Sequence, residues 1–150
     1  MFNFIPNRLA FIVLISACSI ILISMGLRQT FGLFFDAFEK GLGVTRTEFG
    51  LAIGIQMLFW GFFAPIFGLL ADKFGGNKAV FLGFLIFALG IFMLYSGPNT
   101  GIYFQLALGV LVGTALGATA IGVPVSEVGK HFPNETRTIA TGVVTAAASI

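Results

Sequence analysis

The chain consists of long apolar runs separated by short polar segments. No charged residue occurs from Leu9 to Leu27 or from Phe49 to Ala71. At the rise of an α-helix these runs span about 28 Å and about 34 Å. The stretch from Ala79 to Ser126 is also free of charge. Since about 20 apolar residues cross a bilayer core, each run is long enough to span a membrane.

The third run is too long for one span, and a turn is expected inside it. Ser96 to Gly101 reads Ser-Gly-Pro-Asn-Thr-Gly, and such a segment favours a tight hairpin between two helices. Thr45 and Glu48 have the spacing of a capping box at the start of the second helix. The pattern predicts an all-α polytopic membrane protein with about four and a half transmembrane helices. We expect them at residues 9–36, 47–71, 79–96, 102–125 and 137–150, the last being cut short.

Composition excludes several other classes of protein. Apolar residues make up 57% of the chain and charged residues 9%, whereas a soluble domain carries about 25% charge. The partner that this surface requires is therefore the lipid bilayer. One cysteine and one histidine exclude an internal disulfide and a cysteine–histidine metal cluster. The few charges form no nucleic-acid patch and no catalytic constellation, so neither an enzyme nor a cofactor is expected.

The basic residues orient the predicted helices. Five lie on one side of the membrane and two on the other, and the positive-inside rule places the richer side in the cytoplasm. We expect a cytoplasmic N-terminus and location in a bacterial inner membrane. The cytoplasmic set is Arg8, Lys73, Lys78, Lys130 and Arg137, and the outer set is Lys40 and Arg46.

Arg28 is the sharpest candidate for chemistry. It lies inside the first predicted span, where a charged residue costs about 2.5–3.5 kcal/mol and marks a functional site by default. A guanidinium there suits a carboxylate, which it can bind in bidentate fashion. Two alternatives are that the side chain reaches the membrane interface, and that it pairs with an acid elsewhere. Gln29, Thr30 and Gln56 offer further polar contacts to a substrate.

A second candidate lies between the second and third helices. Asp72 stands at a membrane boundary that is otherwise basic, one helical turn after Gly68. The two residues share a helix face, which favours a close-packed contact over simple solvation of the helix end.

Glycines recur at a spacing of four along the fourth helix. Gly109, Gly113 and Gly117 share one face, and small residues at this spacing let helices approach closely in lipid. Helix packing is the expected role, and a moving helix interface is the alternative. Trp60, near the middle of the second helix, is expected to pack rather than to stack on a ligand.

The segment Gly68 to Lys78, Gly-Leu-Leu-Ala-Asp-Lys-Phe-Gly-Gly-Asn-Lys, resembles a known signature. It is similar to the loop between helices two and three of the major facilitator superfamily, roughly Gly-x-Leu-Ala-Asp-Arg-x-Gly-x-Arg-Arg. The resemblance implies the first part of a twelve-helix transporter, with further C-terminal helices of the same protein as partners. It also implies gating roles, which we carry over to Gly68, Asp72, Lys73, Gly75, Lys78 and Arg137.

Two further segments resemble the monocarboxylate transporter and oxalate/formate antiporter branch of this superfamily. They are Arg28 to Phe35 in the first helix and Phe132 to Gly142 at the start of the fifth. In that branch a basic first-helix residue is implicated in carboxylate or proton handling. Many proton-coupled members of the superfamily carry an arginine in the fourth helix, and this chain has Gly109 near that position.

The sequence thus predicts a secondary transporter of small organic anions, working by alternating access with a coupled proton or an exchanged anion. Arg28 would bind the substrate, and Asp72 with Gly68 would serve the gate. One alternative is an exporter of drugs or other solutes in the same superfamily. Another is a four-helix membrane scaffold subunit.

Overall fold

The computed structural model describes residues 7–149, and these form helices joined by short turns, with no strand among them. Four helical spans are long and apolar enough to cross a membrane. The all-helical membrane fold predicted from the apolar runs is therefore confirmed for this part of the chain. The four spans are α1 (Arg8–Leu33), α3 (Arg46–Phe74), α4 (Gly76–Ser96) and a composite fourth span (Gly101–His131).

The first span is followed by a short amphipathic helix. The Asn7 side chain caps α1 by accepting a hydrogen bond from the Ala10 N–H. The helix ends at Leu33, and α2 (Phe35–Leu42) follows after a single residue. Gly43 then takes a positive φ of 67° and ends α2. Such a backbone favours glycine because a Cβ is strained there.

The capping box predicted at the start of the second span is confirmed. The Glu48 N–H donates to the Thr45 hydroxyl, and the Glu48 carboxylate accepts from the Thr45 N–H at 2.9 Å. From there α3 continues as one helix through Pro65. Gly75, with φ +95°, is the single residue between α3 and α4. The predicted hairpin after α4 is also present, since α4 ends at Ser96 and the next helix begins at Gly101.

The fourth span is the most irregular of the four. It bends at Ala120 and Ile121 and remains helical to His131, six residues past the 102–125 predicted from apolarity alone. The ion pair between Glu127 and Lys130, three residues apart, suits helical geometry in this polar end. The span consists of α5 (Gly101–Phe104), a π-helix (Gln105–Leu111), α6 (Val112–Thr119) and α7 (Gly122–His131).

One more helix follows the fourth span. It is α8 (Asn134–Ala146), which continues into a 3-10 turn, Ala147–Ser149. The predicted helix 137–150 falls largely on these elements, and Ile150 lies outside the described residues.

The fourth span is the centre of the bundle. In its most apolar 18-residue segment 67% of the residues are buried, whereas in the corresponding segment of α3 only 11% are buried. It packs against α3 and α4 through α6 and the π-helix, and against α1 through α7, while α8 packs on α7 and α1. Large side chains on the outer faces of the other helices are exposed, among them Leu58, Phe62 and Leu69 on α3. A belt of this kind belongs against hydrocarbon.

Glycines bring the fourth span against α3. A Cβ built on Gly113 would lie 2.6 Å from the backbone oxygen of Gln56, and one on Gly109 would lie 2.9 Å from the Ile55 side chain. At Gly117 the same atom would lie 2.9 Å from the backbone of Phe63. Real Cβ atoms do not approach this closely, so the two backbones meet at a distance that only glycine allows.

Candidate functional site

Arg28 lies in the last two turns of α1, partly buried, and faces α3. Its Cζ atom sits over the ring of Trp60 at 5.5 Å from the centroid. The Nε atom is buried and has no hydrogen-bond partner. No carboxylate among residues 7–149 forms an ion pair with this guanidinium. Three roles were considered for Arg28: binding an anion, reaching the membrane interface and pairing with an acid. The described part of the chain provides no acid that pairs with it.

The neighbours of Arg28 differ in how free their polar groups are. Thr30 uses its hydroxyl locally, donating to the Leu27 carbonyl at 2.7 Å. Gln29 is exposed. Trp60 packs against the core of the bundle as well as under Arg28. Packing therefore describes only part of what Trp60 does.

Gln56 is fully buried between α3 and the fourth span. Its Nε2 donates to the Leu108 carbonyl at 3.2 Å, which is the interhelical hydrogen bond expected for a buried glutamine in lipid. The Oε1 atom has no partner within the described structure. The side chain is a close neighbour of Trp60, one turn away on the same face of α3.

The Leu108 carbonyl that accepts this bond lies in the π-helical segment. The Val112 N–H, which an α-helix would direct to the Leu108 oxygen, bonds to the oxygens of Ala107 and Gly109 instead. The Gln56 side chain supplies a donor to the Leu108 oxygen from the neighbouring helix. Single π-turns of this kind are frequent at functional sites. No feature of the sequence distinguished this turn from an ordinary apolar helix.

At the C-terminal end of α3, Asp72 belongs to a cluster of three charged side chains. Lys130 Nζ lies 3.0 Å from Asp72 Oδ1 and 2.8 Å from Glu127 Oε1. Asp72 and Lys130 remain substantially exposed, with 64% and 45% of their side chains accessible. The cluster joins the end of the second span to the end of the fourth. Lys130 and Glu127 were not predicted as members of this site, because their spacing of three residues indicates only the pair within α7.

The other residues of the predicted gate surround this cluster. Gly75 needs its positive φ to turn the chain from α3 into α4. Lys73 lies with Nζ 5.2 Å from the centroid of the Phe74 ring. Arg137, at the start of α8, donates from Nε to the Gly129 carbonyl at 2.6 Å. A Cβ on Gly68 would meet no described atom within 4 Å, so the close-packed contact predicted for Gly68 is not formed within residues 7–149.

A groove opens between α1 and α4 at the same end of the bundle. Its volume is about 760 Å³, and the residues that line it include Lys78, Glu127 and His131. His131 is the last residue of α7, and its Nδ1 is 2.8 Å from the Glu127 carbonyl oxygen. Apolar side chains such as Ile12 and Phe84 line the interior.

No group of three or more potential metal ligands occurs among the residues that the structure describes. The two polar sites, around Arg28 and around Asp72, consist of charged and hydrogen-bonding side chains. Such groups can bind a solute and hold helices together.

Comparison with protein families decides what kind of molecule carries these sites. The profile of the Major Facilitator Superfamily matches residues 12–150. The chain belongs to the major facilitator superfamily. Membership in this superfamily, together with four apolar spans, makes the chain an integral membrane protein of a transporter family rather than an enzyme family.

Two relatives within the superfamily share part of this sequence. The chain is 32% identical over 90 residues to the riboflavin transporter RibZ of Clostridioides difficile (strain 630), a match over 56% of the chain and 18% of the relative. It is 33% identical over 82 residues to YwtG of Bacillus subtilis (strain 168), provisionally named a metabolite transport protein. That match covers 53% of the chain and 16% of YwtG.

The matched segments thus span less than a fifth of the length of these relatives. No solved structure matches the chain significantly. Neither relative is named as a carrier of monocarboxylates, so the branch suggested by Arg28 to Phe35 stays a prediction.

Proposed function

We propose that this major facilitator chain is part of a secondary active transporter of small organic anions, working by alternating access across a bacterial inner membrane. The observation that carries the proposal is the unneutralised guanidinium of Arg28 inside the first span. A cation held in lipid without an acid is costly, and binding an anionic substrate offsets that cost. The substrate would be a carboxylate, with a coupled proton or an exchanged anion.

The surroundings of Arg28 support a role for neighbouring polar groups. Gln29 is exposed on the next position of α1, and Thr30 follows it. Gln56 carries an unpaired acceptor atom in the adjacent helix. Rearrangement during transport would be needed to bring Gln56 to a substrate, because its side chain is fully buried in the described conformation.

The second part of the proposal concerns the gate. The Asp72–Lys130 ion pair ties the ends of the second and fourth spans at the end of the bundle that also holds Gly75 and Lys78. An exposed pair of this kind is weak, so it can exchange partners at little cost. Asp72 would then contact further helices of the whole protein in one state and Lys130 in the other. Gly68, Lys73 and Arg137 would complete this surface.

The test is uptake of radiolabelled lactate and oxalate by the complete protein in proteoliposomes, compared between the natural sequence and Arg28→Ala. We expect Arg28→Ala to reduce uptake at least tenfold, since it removes a charge-assisted bond to the carboxylate. Arg46→Ala is the matched control, because Arg46 lies at the start of α3 and is not among the residues proposed to bind the substrate. Undiminished uptake in Arg28→Ala would contradict the substrate role.

The named relatives favour a second candidate, a transporter of other solutes within the superfamily. RibZ is named for riboflavin, a heterocyclic compound rather than a small monocarboxylate. Under this candidate the complete protein would take up labelled riboflavin and would not take up lactate or oxalate. The same proteoliposomes therefore discriminate between the two.

A further inference from the structure

Trp60 supplies the aromatic surface on which Arg28 rests. In the described structure the guanidinium makes a cation–π contact, with the Arg28 Cζ 5.5 Å from the ring centroid. Neither a carboxylate nor a hydrogen-bond acceptor for its Nε is present among residues 7–149. An aromatic face attracts a cation without neutralising it, so the full positive charge stays available to an anion.

The contact also joins helices that have little other contact. α1 packs on α7 and α8, whereas α3 packs on the π-helix, α6 and α4. Without Trp60 the long Arg28 side chain would have several rotamers open to it, including those that lead toward the membrane interface. Contact with the ring restricts that freedom and uses none of the guanidinium N–H groups in a hydrogen bond, so they stay available for bidentate bonds.

We propose that Trp60 is a positioning residue for Arg28, holding the guanidinium at the depth where a carboxylate substrate binds. The inference rests on the proposed function, since it assigns Trp60 a part in the same site. A positioning role and an ordinary packing role for Trp60 predict different results. Loss of a packing residue lowers the amount of folded protein, whereas loss of a positioning residue weakens apparent affinity for the anion.

The experiment measures initial rates of lactate and oxalate uptake against concentration in proteoliposomes of the complete protein. We expect Trp60→Leu to raise KM about 2- to 30-fold, the range that corresponds to a cation–π contact, with a smaller effect on the maximal rate. Trp60→Phe keeps an aromatic face and should restore KM to within about threefold of the natural value. Phe62→Leu is the matched control, because it removes an exposed aromatic from the same helix and should leave KM unchanged.

A double variant separates action through Arg28 from action elsewhere. In an Arg28→Ala background, Trp60→Leu should change residual uptake less than twofold, because the residue that it positions is gone. An unchanged KM in Trp60→Leu, whatever happens to the maximal rate, would overturn the positioning role while the Arg28 proposal stands. Full uptake by Arg28→Ala, or no saturable anion uptake by the natural protein, would overturn both.

Discussion

Lys130 contacts two carboxylates at once, and this makes the charged end of the bundle easy to rearrange. The pair with Asp72 joins two spans, while the pair with Glu127 lies within α7. Lys130 therefore keeps a partner when Asp72 leaves it. An exposed ion pair contributes about 0–1 kcal/mol to stability, so its function cannot be to hold the fold together.

We predict that Asp72→Asn and Lys130→Met change transport far more than stability. Each variant should shift the free energy of unfolding in detergent by less than about 1 kcal/mol, because the pair is exposed to solvent. Initial uptake rates should fall severalfold if the pair belongs to the gate. The measurements are thermal unfolding and proteoliposome uptake of the complete protein.

Lys40→Met is the control for this pair of variants. Lys40 lies in α2, which precedes the start of α3, and it forms no ion pair among the described residues. If Asp72→Asn and Lys130→Met transport at the natural rate, the gating role of the cluster is wrong.

Single residues were the hardest part of this molecule to infer from sequence. Arg28 stood out because a charge in an apolar run is conspicuous. Lys130 was counted only as a positive charge for topology, since nothing in the sequence says that the ends of α3 and α7 meet. The unpaired Oε1 of Gln56 was equally invisible, because it depends on which backbone groups of another helix are free.

At the scale of helices, the distance between α3 and the fourth span is set by contact between their backbones rather than between side chains. Gly113 allows the Gln56 backbone to approach, and the Gln56 side chain then reaches the Leu108 carbonyl. Close approach and the polar contact depend on each other. The stripe of glycines was readable from the sequence at a spacing of four, but the helix it faces was not.

We predict that Gly113→Ala separates these helices. The added Cβ would meet a backbone oxygen that cannot rotate away, so the free energy of unfolding should fall by about 1–3 kcal/mol, as in other overpacked sites. Gly54→Ala on α3 is the matched control, because no described atom lies within 4 Å of its new Cβ. There the better helix propensity of alanine should leave stability unchanged or raise it by up to about 1 kcal/mol. Equal unfolding curves for the two variants would contradict this account.

For the whole molecule, the apolar pattern was sufficient to predict the class of fold. Hydrophobic runs of the right length specify membrane helices, since lipid leaves the backbone few other options. The arrangement of the helices was not predictable in the same way. Burial of the fourth span at the centre depends on small residues on several of its faces, and their partners lie far away in sequence.

The membrane orientation of the whole chain makes a prediction of its own. Cys18 is the one cysteine, so a Cys18→Ser background gives a protein without thiols from this segment. Cysteines placed at Asn134 and at Lys40 should then label differently with a membrane-impermeant maleimide applied to intact cells. We expect labelling at position 40 and protection at position 134, because the basic residues favour a cytoplasmic N-terminus. The reverse pattern would place the Asp72 cluster outside the cell.

The π-helical turn from Gln105 to Leu111 has a consequence for the history of this sequence. A bond from residue i to i+5 takes up one residue more than the i+4 bond of an α-helix, so the turn absorbs an extra residue without disturbing the helix on either side. A relative that lacks one residue here can keep its glycines in register with α3. In such a relative the segment would be α-helical, and a backbone N–H would compete with the Gln56 side chain for the Leu108 oxygen. We therefore expect the extra residue of the π-turn and the buried glutamine 52 positions away to change together among relatives.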